Sequence, residues 1–264
     1  MDRPPTGPRR AVGHVPNARQ VPRLLLPDGA TLADLRRYVA RARRVDADGA
    51  VRLIARQDVL AMYVAPLHGA GGPTVLGLRV LRLAGPCETD LTAPLAALAA
   101  RLDRLADVAA EAVRPSEAVH EDVAGPASGG ASQDVELVLE LDLPQAGPAA
   151  AAWAGVTPPR QGWQRIGLID VADLRAVVAQ GVAEVVAGTP PAAGAPQVAA
   201  LRGRVWGRPL LEQVPAAPSG LAFAADALAF LDDAEPAALF RAGPWFRLST
   251  VGGHVVGRPP LPGL

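Results

Sequence analysis

The sequence predicts an α+β fold in two parts: an N-terminal antiparallel sheet with two helices, then three helices closed by a terminal β-hairpin. Three patterns predict it. Short runs rich in β-branched residues stand at 51–54, 59–64 and 74–83; apolar residues recur at helical spacing at 31–45, 91–105 and 170–188; and Gly252-Gly253 separates two short β-like runs near the end.

Residues 1–21 are rich in Pro and Arg without an apolar period, and a disordered tail is expected there. Thr31, with Asp34 three residues on, is read as the N-cap of a helix whose Leu32, Leu35, Val39 and Ala42 share one face. The runs 51–54 and 59–64 around Arg56-Gln57-Asp58 predict a hairpin, and 74–83 a third strand. Leu95, Leu98, Leu102 and Leu105 place a second helix over 91–105. Residues 107–134 mix Pro, Gly and acids and predict an acidic flexible loop inside this N-terminal part, 22–144. The alternating run 135–141 is then expected to rejoin the first sheet.

The C-terminal part, 145–264, holds all four Trp residues. Asp170 and Asp173 open a helix with Val171, Leu174, Val178, Val182 and Val185 on one face and Gly188 at its end. A second helix is read over 196–207, and a third, capped by Ser219, over 220–231. Runs 238–241, 245–250 and 254–257 are β-like. No repeat relates the two parts.

Half of the residues are apolar but only 4% are aromatic, so the cores must be small and aliphatic. All 26 basic residues are Arg. Their distribution is uneven: 1–105 carries sixteen Arg against nine acids, 106–144 one against nine, and 145–264 nine against eight. The basic block can attract phosphates, or the acidic block can fold over it or screen it. Cys87 stands alone, which excludes an internal disulfide and a Cys-based zinc cluster, and its neighbour Glu88 predicts an inert thiol. The run Leu24-Leu25-Leu26 is too short for a signal-peptide core, and Arg, Asp, Gly or Pro interrupts every longer apolar window. A soluble, cytoplasmic chain with no membrane partner is expected.

No nucleophile elbow, zinc-protease helix or dinucleotide-binding glycine triplet is present, and no His has a second His or Cys at ligand spacing. No catalytic residue, metal or cofactor is therefore expected. The glycine-rich stretch after His68 lacks the Lys of a phosphate loop and leads into a strand. Two candidate binding patches remain. Arg37, Arg41 and Arg44 lie in a basic stripe on the first helix, opposite its apolar face. With Gly252-Gly253 as the turn, the terminal hairpin pairs Val251 with His254, Ser249 with Val256 and Arg247 with Arg258. One face then carries Trp245, Arg247, Ser249, His254 and Arg258, and the facing arginines call for an anion or nearby carboxylates.

Three helices followed by a hairpin is a winged-helix-like order. The stretches 35–44, 64–69 and 243–250 resemble an uncharacterised family of high-GC Gram-positive bacteria, with an N-terminal domain of unknown function and a helix-turn-helix-like C-terminal domain. That resemblance implies no activity or substrate. Against DNA reading, 207–219 is too long for the turn of a helix-turn-helix, and 221–231 carries Asp226 as its single polar residue. A non-catalytic binding or regulatory module is expected, contacting a protein or, weakly and non-specifically, nucleic acid. An enzyme with a site near His68 and a structural or assembly protein, including a homo-oligomer, are the alternatives.

Overall fold

The computed structural model describes residues 22–69, 72–113, 138–145, 151–231 and 235–260. Strand β1 (Arg23–Leu26) leads into helix α1 (Gly29–Val45). Asp28, not Thr31, is the N-cap: its carboxylate accepts the Thr31 N–H at 2.6 Å. Leu32, Leu35, Tyr38, Val39 and Ala42 are the buried face of α1, as the helical period requires.

Strands β2 (Ala50–Arg56), β3 (Val59–Leu67), β4 (Thr74–Arg82) and β5 (Thr89–Pro94) follow. The β2–β3 hairpin turns at Gln57, which takes φ 54. Residues 91–94, read as the start of a helix, belong instead to β5, an edge strand on β2, and α2 runs over Leu95–Val113. The first residues of the expected acidic loop are thus helical. The rest of it, 114–134, and the expected tail 1–21 lie outside the described residues.

Strand β6 (Leu139–Asp142) does not rejoin the main sheet. It pairs with β1 in a separate two-stranded ribbon, where Arg23 meets Asp142 at 2.9 Å and Glu140 at 3.2 Å. Leu24, Leu26, Leu139 and Leu141 from this ribbon are buried in the same core as α1 and α2.

The C-terminal part is not a three-helix winged-helix-like domain. Its strands β7 (Gln164–Ile169), β10 (Ala237–Ala242), β11 (Trp245–Thr250) and β12 (Gly253–Arg258) continue the N-terminal sheet in the antiparallel order β5-β2-β3-β4-β12-β11-β10-β7. The join is β4 on β12, with Leu78 opposite His254 and Leu76 opposite Val256. A hairpin β8 (Pro209–Leu211) and β9 (Val214–Pro218) occupies the stretch between helices α4 (Ala195–Gly207) and α5 (Gly220–Ala227). Helix α5 lies on the sheet over β4 and β12, with α3 (Val171–Ala187) against it, and its Leu221, Ala222, Ala224 and Ala225 are buried. A helix apolar on most sides demands such burial, because a wing and an exposed recognition face would leave it in water.

Helices α1 and α5 cover one face of the sheet, the inner face. Tyr38 and Leu228 both reach Gly77, whose missing side chain leaves the space they fill. Arg79 on this face reaches Asp34 of α1 at 2.8 Å and also donates to the Gly252 carbonyl, tying the two parts together. Read outward from the β4–β12 join, the halves mirror one another, each a three-strand meander with one further edge strand. No helix among the described residues is long and apolar enough to cross a membrane.

Candidate functional site

The outer face of the sheet carries the aromatic and arginine side chains. Alternation along the strands puts Arg52, Tyr63, Leu76, Leu78, His254, Val256, Arg247 and Phe240 on this side. One row of register partners crosses its C-terminal half: Leu76, Val256, Arg247, Phe240, Arg165.

A segment from the 3-10 turn Ala152–Gly155 to Trp163 is laid over part of the face. Trp153 packs on Ala65 and Leu76, while Val156 and Trp163 pack on Leu78, Trp245 and Val256. Arg52 anchors this segment. It is held by Asp90 through two bonds of 2.9 Å and donates to the Ala154 carbonyl and to Thr157 Oγ1. That hydrogen-bonded pair holds the Asp90 carboxyl below its ordinary pKa.

The hairpin register differs from the expected one. Val251-Gly252 is the turn, Thr250 pairs with Gly253, Ser249 with His254 and Arg247 with Val256, so Arg247 and Arg258 do not face each other. The glycines serve packing rather than a two-residue Gly-Gly turn: a side chain at Gly253, with φ 154, would meet the Phe230 ring at 2.6 Å, and one at Gly252 the Phe230 backbone at 3.0 Å.

Trp245, Arg247, His254 and Arg258 are brought together on the outer face. The Arg247 guanidinium lies over two rings, 4.8 Å from the Trp163 centroid and 4.4 Å from that of Phe240. Its Nε is buried without a hydrogen-bond partner, and burial lowers the guanidinium pKa. Arg258 covers the Trp245 ring at 5.4 Å. His254 Nδ1 and Ser249 Oγ share a 2.9 Å hydrogen bond. Burial first, then the charges of Arg247 and Arg79, holds the His254 imidazole below its ordinary pKa. Among the described residues no carboxylate pairs with Arg165, Arg247 or Arg258.

The stripe on α1 is not part of this surface, because α1 lies on the inner face. Arg37 reaches Asp34 at 3.6 Å. Arg41 donates to the carbonyls of Leu228 and Ala229 at 3.2 and 3.3 Å, closing the C-terminal end of α5 where carbonyls lack intrahelical donors. Arg44 is exposed. Sequence reading missed Trp163, Phe240 and Arg165 as neighbours of Arg247. The short run Ile166-Gly167-Leu168-Ile169 was the available signal for β7, since a strand there places Arg165 on the sheet.

His68 lines a cleft of about 220 Å³ with Asp46 and Arg202, its Nδ1 3.3 Å from the Ala65 carbonyl. The described lining holds no Ser, Thr, Cys, Lys or Tyr, and Asp46 is the one carboxylate in it. Burial and then Glu88 raise the Cys87 thiol pKa. Among the described residues no group of three or more His, Cys, Asp or Glu is placed to hold a metal ion.

Residues 19–125 match a domain of unknown function, DUF8010, and residues 158–262 match a second one, DUF8185. Two distinct domain types thus follow one another, and the main sheet is shared between them. No curated protein matches the sequence. Among solved structures, a crystal structure of a C. crescentus beta sliding clamp is 12% identical with a TM-score of 0.40, over 92% of this chain and 65% of that chain.

Proposed function

We propose that this succession of two domains of unknown function is a non-catalytic binding module that holds a protein partner on the outer face of its sheet, at Trp245, Arg247, His254 and Arg258. The observation that supports the reading is Arg247: its guanidinium lies over the rings of Trp163 and Phe240, and its Nε is buried without an acceptor among the described residues. A buried N–H without an acceptor costs stability in the free protein, and an anion that reaches the guanidinium offsets that cost. A carboxylate suits it, because the planar fork is pre-oriented by the rings.

Nucleic acid fits this surface less well. Stacking platforms need open aromatic faces, whereas Arg247 occupies faces of Trp163 and Phe240, and Trp245 is buried beneath Arg258. Phosphate contact would be weak, sequence-independent and steeply salt-dependent. Arg37, Arg41 and Arg44 add nothing on this side of the sheet.

The test is affinity capture from the native host with the full chain and with an Arg247→Gln, Arg258→Gln double variant. A discrete protein retained by the wild type and lost by the variant is expected. Equal retention by both, or a tight and salt-tolerant preference for one DNA duplex, would overturn the reading.

A further inference from the structure

We propose that the free edge of β7 takes up an extended acidic segment of the partner as a ninth strand, with a carboxylate of that segment opposite Arg165. The proposal rests on the outer-face reading and assigns the partner's shape and charge. Among the described residues β7 is the last strand of the sheet, so one row of its backbone donors and acceptors has no strand beside it.

Edge strands are ordinarily protected by Pro, by charges or by cover. β5, at the other edge, ends in Pro94 and carries Asp90, which Arg52 engages. β7 is less guarded. Ile166 is 45% and Leu168 59% exposed, beside Gly167 and with no Pro in the strand. A bulge against β10 lies in this stretch, between the partners of Leu239 and Phe240, so Arg165 and Leu168 both keep to the outer face. An added strand therefore meets an apolar position and a cationic one on the same side.

Charge selects the occupant. Arg165 is exposed and has no ion pair among the described residues, and Arg247 stands two strands further along the same row. A second copy pairing β7 with β7 would bring another Arg165 and no carboxylate, and like charges close together across a sheet oppose pairing. An acidic strand supplies main-chain hydrogen bonds for affinity and alternate side chains for specificity, which is the mode of strand addition.

The probe is a fluorescent ten-residue peptide alternating valine and glutamate, compared with its lysine counterpart and with a form N-methylated at alternate backbone amides. Anisotropy and amide hydrogen exchange are read on the full chain, on Arg165→Glu and on Arg247→Gln. Preferential binding of the glutamate peptide, slowed exchange across β7, and a loss of about tenfold or more on N-methylation or in Arg165→Glu are expected. Equal binding of the N-methylated peptide with β7 exchange unchanged would overturn strand addition, and if Arg247→Gln still weakened that peptide the outer-face reading would stand. Slowed β7 exchange that Arg247→Gln leaves intact would uphold strand addition and remove the role given to Arg247. No binding, or a dimer that protects β7 without peptide, would overturn the inference.

Discussion

Replacing Arg247 by Met separates a guanidinium held for a ligand from one that holds the fold. The substitution removes two cation–π contacts, each worth about 0.5–1 kcal/mol at partly exposed sites. A thioether between Trp163 and Phe240 returns about 0.3–1.5 kcal/mol of sulfur–aromatic contact. The substitution also deletes an N–H buried without an acceptor, whose presence costs about 1–3 kcal/mol. The balance centres on a gain of about 1.4 kcal/mol, with extremes of a loss of about 0.7 and a gain of about 3.5, against a loss of about 3–5 kcal/mol were Arg247 half of a buried ion pair. Urea unfolding reads this directly, as an equal or higher midpoint at unchanged slope. An NMR titration supplies a second readout, since loss of the Arg247 charge lets the His254 pKa rise toward its ordinary value. A destabilisation above about 2 kcal/mol at unchanged slope would instead make Arg247 a structural anchor.

Two further outcomes are expected. The His254 pKa is lowered in the folded state, so the unfolded chain binds the proton first as pH falls. Its contribution is then full above about pH 6.5 and is lost as pH drops through the folded value. The wild type should lose more stability than His254→Gln between about pH 7.5 and pH 5, and equal losses would contradict the assignment. Arg41→Ala should cost about 1–3 kcal/mol, because the α5 carbonyls lose a charged donor, while leaving capture on the outer face unchanged. Weakened capture at unchanged stability would return Arg41 to the binding surface.

Local patterns were legible where one residue type decides one element. The period of Leu32, Leu35, Val39 and Ala42 predicted both α1 and its buried face. The turn at 57–58 followed from two β-branched runs with polar residues between them. Boundaries depending on competing signals moved: Asp28 displaced Thr31 as cap because its carboxylate accepts from the Thr31 N–H and so opens the helix three residues earlier, and 91–94 became strand because β2 offered it a ladder. The winged-helix-like reading failed for a tertiary reason. Three helices and a hairpin have the same order whether the hairpin is a free wing or the middle of a sheet, and only the pairing of β12 with β4 and of β10 with β7 separates the two.

The candidate site shows the same limit at finer scale. Alternation alone placed Trp245, Arg247, Ser249 and His254 on one face, and a shift of the turn by one residue changed every partner while leaving that face intact, since each pair moved by two. The expected repulsion between Arg247 and Arg258 was an artefact of register, and with it went the original reason for an anion. The stronger reason arose from residues remote in sequence: Trp163 reaches Arg247 only because the segment pinned by Arg52 crosses the sheet, and Phe240 lies beside it only because β10 is next to β11. A guanidinium enclosed by rings from two other segments and given no carboxylate is a feature that neither hairpin propensity nor charge count encodes. It depends on the shared sheet, so perturbing the β4–β12 join should affect the site as much as changing the arginine itself.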